Sequence, residues 1–180
     1  MRMLRLFVSG VSAAIVVWCF TASLQARQGH SQPLVDAVRA AIQPFSQPAA
    51  AEDAGYGLFA GCVAGPQEGA MGVHYVNGTL VGDGEIDERH PEALVYEPRN
   101  GRLELVAAEF IVLADAWNAS HPDNSPPTLM GQVFQYNGSP NRYRLPPFYE
   151  LHVWAGKANP SGAFADWNPH VSCDTFAPNP

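Results

Sequence analysis

The hydrophobic pattern divides the chain into a helical part, up to about residue 54, and a part rich in strands that begins at Tyr56. Over residues 34–45 the apolar residues recur mostly every three or four positions, which is the period of one helix face. Pro33 suits the first helical position, where the N–H has no partner, and Pro44 should end or kink the helix. A second short helix is predicted over 49–54, with Ser46 as its N-cap.

From Tyr56 onward the helical period disappears, and β-branched and aromatic runs alternate with Gly, Pro and Asn turn signals. Asn100-Gly101 is the strongest hairpin signal, and a helical turn is predicted over 115–119. The pattern predicts an α+β fold, in which N-terminal helices precede a curved, mostly antiparallel β-sheet or small barrel. The predicted strands are Tyr56–Ala64, Gly72–Val76, Ala93–Glu97, Arg102–Leu113, Thr128–Tyr136 and Phe148–Ala155.

Two of the six histidines, His74 and His152, lie inside apolar strand-like runs. The other four lie in the polar start of the chain or beside prolines, where surface positions are the simplest interpretation. Side chains alternate between the two faces of a strand, so His152 shares a face with Glu150 and Trp154.

Glu109 is a carboxylate in the longest predicted strand. Alternation places it on an apolar face together with residues 103, 105, 107, 111 and 113. An unpaired buried charge is too costly to stand alone, so Glu109 needs a partner or belongs to a site.

Two histidines and an inward glutamate are the ingredients of a two-histidine, one-carboxylate site for a divalent transition metal such as iron, manganese or zinc. The hypothesis is that His74, His152 and either Glu109 or Glu150 form a polar cluster inside the sheet. The alternatives are a buried structural network without metal, and simple surface exposure.

Aromatic residues are dense, and most must fill the core. The second hypothesis is a binding module without metal, in which some aromatic residues, with Tyr75 and Trp154 as candidates, line a pocket for a small ligand. A structural envelope protein without a pocket is the third. Whether the protein is an enzyme stays open, because no nucleophile motif or phosphate-binding loop is present.

The N-terminus has the layout of a secretory signal peptide: Arg2 and Arg5, then an apolar run to residue 20, then small residues ending at Ala26. Residues 1–26 are therefore predicted to be a signal peptide and residues 27–180 a single domain. A membrane anchor is the alternative, although the apolar run is shorter than the roughly 20 residues that span a bilayer. A lipid-modified Cys19 is disfavoured by the bulky Trp18 before it.

All 17 acidic residues follow residue 26, whereas two of the ten basic residues precede it, so the mature chain has a formal charge of −9. Lys and Arg form no cluster, which argues against a nucleic-acid partner. No membrane span is expected after removal of the signal peptide. The expected partners are a small molecule or a metal ion, and the expected location is the periplasm or the exterior.

Cys62 and Cys173 are the cysteines of the mature chain. In an oxidising compartment such a pair most often forms a disulfide, which would tie the C-terminal tail to the start of the main domain. Two free thiols and a metal pair are the alternatives, although the spacing matches no zinc motif.

Distinctive motifs lie at residues 61–66, 69–77, 91–98, 152–154, 159–162 and 164–169, with Cys173 beyond them. These segments resemble a family of small exported bacterial proteins of unassigned function. The resemblance implies an exported protein but no activity, cofactor or catalytic residue.

Overall fold

The computed structural model describes residues 33–123 and 125–177. The predicted signal peptide, residues 1–26, lies outside the described residues. The first helix, α1, covers residues 33–42 and ends at a 3₁₀ turn, Gln43–Phe45, which contains the predicted breaker Pro44.

The second helix, α2, spans Pro48–Asp53. Its N-cap is Gln47, and no side chain caps the helix, so the prediction of Ser46 as the N-cap is wrong. Pro48 at the first position needs no cap for its own nitrogen, because proline has no N–H.

Strands then alternate with two short helices. Six strands form one antiparallel, strongly curled sheet in the order β1-β2-β3-β4-β8-β7, and β5 with β6 forms a small hairpin beside it. The predicted α+β fold with a curved sheet is therefore confirmed. The elements are β1 (Gly57–Ala64), β2 (Ala70–Val76), α3 (Gly78–Asp83), β3 (Ala93–Arg99), β4 (Arg102–Leu113), α4 (Ala114–Ser120), β5 (Thr128–Leu129), β6 (Gln132–Val133), β7 (Gln135–Asn137) and β8 (Phe148–Val153).

The hairpin between β3 and β4 turns at Asn100-Gly101, as predicted. Both residues have positive φ angles, 51° and 73°, as a two-residue turn of type I′ requires. By contrast, the predicted strand Thr128–Tyr136 is not continuous. Met130 and Gly131 have φ angles of 47° and 87° and turn the chain back on itself between β5 and β6.

One face of the large sheet, the helix-side face, carries the main hydrophobic core. Apolar residues of α1 pack on inward side chains of the central strands. These strand residues are Val73, Tyr75, Leu94, Tyr96, Ala108, Phe110, Val112, Tyr149, Leu151 and Val153.

The opposite face of the sheet, the polar-cluster face, carries His74, Glu109, Glu150 and His152 between two smaller apolar clusters. One cluster includes Trp154 and Val171 of the C-terminal segment. The other lies around Ile111 and Phe148.

The alternation predicted for β4 is wrong before Val106, because the strand contains a β-bulge there. The pairing of β3 with β4 shifts register between Val95 and Tyr96, so that Val95 opposes Ala107 and Tyr96 opposes Leu105. The extra residue, Val106, reverses the alternation before it. Leu103 and Leu105 consequently pack against the main core and do not share a face with Glu109.

The C-terminal segment packs on the sheet as ordered irregular structure. Cys62 of β1 and Cys173 form a disulfide, as predicted. Asn168 bridges the backbone of Ala70, and the Thr175 hydroxyl donates to the Pro98 carbonyl at 2.8 Å. Along the described chain, residues 33–123 and 125–177, no helix has the length and apolar character needed to cross a membrane.

Candidate metal centre

Three polar side chains converge on the polar-cluster face from three strands. Glu109 of β4 pairs directly with His152 of β8 in the antiparallel register. His74 lies on β2, one strand beyond β3, where its pairing partner is Val95. Ala93 is the β3 partner of Glu109, and its small side chain leaves space for the long side chains to meet across that strand.

The cluster has the dimensions of a metal site. One ligand-type atom from each of His74, Glu109 and His152 lies within 4.8 Å of the other two, and all three residues are buried. The His74 Nε2 to Glu109 Oε2 distance is 3.5 Å. Two ligands bound at about 2.1 Å to one tetrahedral ion are about 3.4 Å apart, so this pair already has the required spacing.

A backbone hydrogen bond fixes which His74 nitrogen faces the glutamate. Nδ1 lies 3.1 Å from the Gly72 carbonyl oxygen. A carbonyl only accepts, so Nδ1 carries the hydrogen and Nε2 of the neutral ring presents a lone pair. Metal-binding histidines commonly donate their second N–H to a carbonyl in this way.

The lone pair of His74 Nε2 therefore faces an oxygen of Glu109. Burial lowers the pKa of His74 to about 4, against a smaller opposing effect of the hydrogen bond to Gly72, so the ring is neutral near pH 7. A neutral nitrogen and a carboxylate oxygen are both hydrogen-bond acceptors, so they do not attract each other. The contact is favourable only if a proton or a cation lies between them. The contact is thus not an ordinary ion pair at neutral pH.

His152 is buried with neither ring nitrogen hydrogen-bonded. Its side chain is 0% exposed, and burial lowers its pKa to about 3, with His74 adding to the effect. A buried unsatisfied polar atom costs about 1–3 kcal/mol. Within residues 33–123 and 125–177, the buried side-chain nitrogen and oxygen atoms that lack a partner in the protein are His74 Nε2, Glu150 Oε2 and both ring nitrogens of His152. All of them belong to this one cluster.

Glu150 lies beside the three converging groups. Asn137 Nδ2 donates to its Oε1 at 2.6 Å, and its carboxyl group is within hydrogen-bonding reach of Glu109. Burial raises the pKa of Glu109 well above its usual value, and the negative charge of Glu150 raises it further. Burial also raises the pKa of Glu150, whereas hydrogen bonds from Glu109 and Asn137 lower it. Both carboxyls therefore favour their protonated forms when no cation is bound.

An apolar cavity of about 380 Å³ reaches the cluster. Its exposed rim includes Leu58 and Phe59 of β1, which are 55% and 49% exposed. Its buried floor is formed by Ile111 and Phe148 together with the three polar residues His74, Glu109 and Glu150. Glu150 also lines a second, polar cavity of about 480 Å³, which includes Arg142 and Asp166. It therefore stands in the wall between the two cavities.

The prediction that Tyr75 and Trp154 line a ligand pocket is wrong for the apolar cavity. Tyr75 lies on the helix-side face and packs edge-on against Tyr96 at 5.3 Å between ring centroids. Trp154 packs against His152 at 4.7 Å, and its indole N–H donates to the Ala165 carbonyl. Trp154 therefore covers the metal-type cluster on the side of the C-terminal segment.

Sequence reasoning missed most of the cavity walls, which are largely aliphatic. They belong to β1, α3, β4 and the segment before β8, including Ala60, Val81, Leu113 and Leu145. The only sequence signal for them was their apolar character, which does not distinguish a cavity wall from a filled core.

Comparison with known proteins gives no assignment. No protein-family model, curated protein or solved structure matches the chain.

Proposed function

We propose that this protein is an exported binding protein whose functional centre holds a divalent transition metal. His74 Nε2, a Glu109 oxygen and a nitrogen of His152 supply the three protein ligands. The observation that carries the proposal is their convergence within 4.8 Å in a buried site where His74 Nε2 and both His152 nitrogens lack a hydrogen-bond partner.

Charge supports a cation of +2 at this position. The two histidines are neutral there, whereas Glu109 and Glu150 together provide two ionisable carboxyls in a buried volume. A buried carboxylate requires compensation, and a divalent cation would neutralise both charges at once. It would also occupy the space between His74 Nε2 and Glu109 Oε2.

Two histidines and one carboxylate leave coordination positions open. Such a set is used by non-haem iron enzymes, and three protein ligands with an open fourth position are typical of catalytic zinc. The open side would face the apolar cavity, because His74 and Glu109 line its floor. Glu150, which Asn137 holds in place, would accept a hydrogen bond from a metal-bound water.

Export is part of the proposal. The Cys62–Cys173 disulfide fits an oxidising compartment, and the basic start followed by an apolar run fits a signal peptide over residues 1–26. Protein recovered from the periplasm of a bacterial host should begin near Arg27, which N-terminal sequencing measures. An unprocessed N-terminus would contradict export.

Elemental analysis tests the metal centre. Protein purified without chelator or histidine tag should contain close to one equivalent of a transition metal, and metal-free protein should bind Co²⁺ with the absorption bands of histidine and carboxylate ligation. Glu109→Gln and His152→Asn should each weaken Co²⁺ binding at least 100-fold, while near-ultraviolet circular dichroism shows that both variants fold.

Two control variants make the test specific. Glu92→Gln replaces another buried carboxyl outside the cluster, and His121→Ala removes a histidine that stacks on Trp117. Both should retain the metal content and Co²⁺ affinity of the wild type. Absence of metal together with no Co²⁺ binding, or equal binding by Glu109→Gln and His152→Asn, would overturn the proposal.

A further inference from the structure

The polar cavity lies beside the connection between β7 and β8 and is lined by both basic and acidic residues. Its volume is about 480 Å³. At roughly 30 Å³ for each water-sized group, this volume corresponds to about 16 non-hydrogen atoms. Its charged lining residues are Arg142, Glu150 and Asp166. Glu150 is only 5% exposed, whereas Arg142 is exposed and Asp166 is partly buried, so the last two carry the accessible charges.

Arg142 presents its guanidinium group without an acidic partner. Its Cζ lies 5.4 Å from the centroid of the Trp167 ring, which is a cation–π distance. Its Nη2 donates to the Ala64 carbonyl at 3.5 Å, a long and therefore weak hydrogen bond. No ion pair within residues 33–123 and 125–177 includes this arginine. Since a guanidinium has five N–H donors, most of them remain available to an anion.

The Tyr143 hydroxyl is a second donor in the lining of the same cavity. It donates to the Met71 sulfur at 3.5 Å. A thioether sulfur is a weak acceptor, so an anionic oxygen would be a better partner for this hydroxyl. Burial raises the pKa of Tyr143, so the hydroxyl keeps its proton at neutral pH. Arg142 and Tyr143 therefore provide two donors suited to a carboxylate.

Asp166 supplies a negative charge in the same cavity. Gln135 Nε2 donates to its Oδ1 at 2.9 Å, but no basic side chain of the described residues forms an ion pair with it. Burial raises the pKa of Asp166, whereas the hydrogen bond from Gln135 lowers it. A carboxylate that loses water without gaining a cation is destabilised, so an ammonium group beside Asp166 would be favourable.

We propose that the polar cavity binds a small zwitterion, an amino acid or short peptide of up to about 16 non-hydrogen atoms, whose carboxylate contacts Arg142 and Tyr143 and whose ammonium group contacts Asp166. A ligand with a carboxylate alone leaves Asp166 without a cation, and one with an amine alone leaves Arg142 without an anion. The inference does not require the metal centre, because the three proposed metal ligands do not line this cavity.

Isothermal titration calorimetry of the whole mature protein tests the proposal. The series of glycine, β-alanine, γ-aminobutyrate, diglycine and triglycine varies the separation of the ammonium group from the carboxylate. Affinity should pass through a maximum at one separation, because the protein charges are fixed in place. The best zwitterion should bind at least about tenfold more tightly than its N-acetyl and C-amide derivatives, each of which lacks one charge.

Two variants test the two ends of the ligand separately. Arg142→Gln and Asp166→Asn should each weaken binding of the best zwitterion at least about tenfold. Arg142→Gln should no longer distinguish the carboxylate from the amide, and Asp166→Asn should no longer distinguish the amine from its acetyl derivative. The matched controls Arg144→Gln and Asp174→Asn, at exposed positions outside the lining, should bind within about twofold of the wild type.

The wild-type series decides the question even if a variant fails to fold. Failure of every zwitterion to bind, or binding of both derivatives as tight as that of the best zwitterion, would overturn the inference. Titrations are repeated on metal-free protein, because amino acids chelate transition metals, and binding that disappears there would also overturn it. Metal without zwitterion binding would refute this inference alone. Zwitterion binding by protein that neither contains metal nor binds Co²⁺ would support it while refuting the metal centre.

Discussion

Replacing Glu92 with glutamine should stabilise the protein at neutral pH and lose that advantage in acid. Glu92 lies just before β3 and is 2% exposed. Its Oε2 accepts a hydrogen bond from the backbone N–H of Ile111 at 2.9 Å. Glutamine has the same shape, and its amide oxygen can accept that hydrogen bond.

The magnitude follows from the pKa of the buried carboxyl. Burial raises the pKa of Glu92 from 4.5 to about 8, the hydrogen bond from Ile111 opposes the shift, and Asp83 and Asp87 add to it. Since one pKa unit corresponds to about 1.4 kcal/mol, keeping Glu92 protonated at pH 7 costs the folded state about 3 kcal/mol. Partial loss of hydrogen bonding by the glutamine amide, about 1 kcal/mol, leaves a net gain of about 2 kcal/mol.

The sign of the pH dependence is fixed by proton binding. Between pH 4.5 and 8 the folded state retains a proton on Glu92 that the unfolded chain has lost, so this residue makes stability fall as pH rises. Glutamine removes that contribution. The stability difference between Glu92→Gln and wild type should therefore grow by about 1.4 kcal/mol per pH unit from pH 5 to pH 8.

Urea unfolding of both proteins at pH 5, 6, 7 and 8, followed by circular dichroism, measures this difference. Comparing the two proteins cancels the contributions of titrating groups that do not interact with Glu92. Glu104→Gln, at a partly exposed position, serves as the control and measures the effect of the same substitution without burial. A stability difference that stays constant over this pH range would refute the argument that burial holds Glu92 protonated.

Three further predictions concern stability, each measured by guanidinium unfolding. Replacing Cys62 and Cys173 with alanine should cost about 5 kcal/mol, because the disulfide closes a loop with a sequence separation of 111; a loss below about 1 kcal/mol would contradict this. Gly72→Ala should cost several kcal/mol, since φ is +124° and the new Cβ would lie 2.6 Å from a backbone oxygen, whereas Gly78→Ala, which meets nothing within 4 Å, should change little. Leu34→Ala should cost about 2–5 kcal/mol by opening a cavity under α1, and a change within 0.5 kcal/mol would show that this helix does not seal the core.

Local sequence signals were sufficient for most strands but not for the irregular positions. The predicted strand Arg102–Leu113 and the hairpin at Asn100-Gly101 match the structure because alternation and turn chemistry act over a few residues. The bulge at Val106 depends on pairing with β3, which a single strand does not encode. The sequence pattern did not predict helix α3, although Asn77, whose side chain accepts from the backbone N–H groups of Thr79 and Leu80, was an available signal.

The candidate site was likewise predictable only in part, because local signals suggest its residues but not their arrangement. Strand alternation suggested His74, Glu109 and His152 as inward side chains, and all three are buried, but it left open whether Glu109 or Glu150 joins the histidines. Only the strand order brings β2, β4 and β8 together and sets Glu109 opposite His152. The large pKa shift of Glu92 could not be predicted from the sequence either, because it depends on burial in the folded protein.

The disulfide has a consequence for cleavage of the chain. In the sequence, Cys62 and Cys173 lie on either side of the connection between α4 and β5, in which residues 122, 123, 125 and 126 are exposed. A protease that cuts this loop once leaves two fragments joined through sulfur. Such a nicked protein would run as one band on a non-reducing gel and as two after reduction, and both halves of the sheet would stay tethered while they are held in register by their strand pairing.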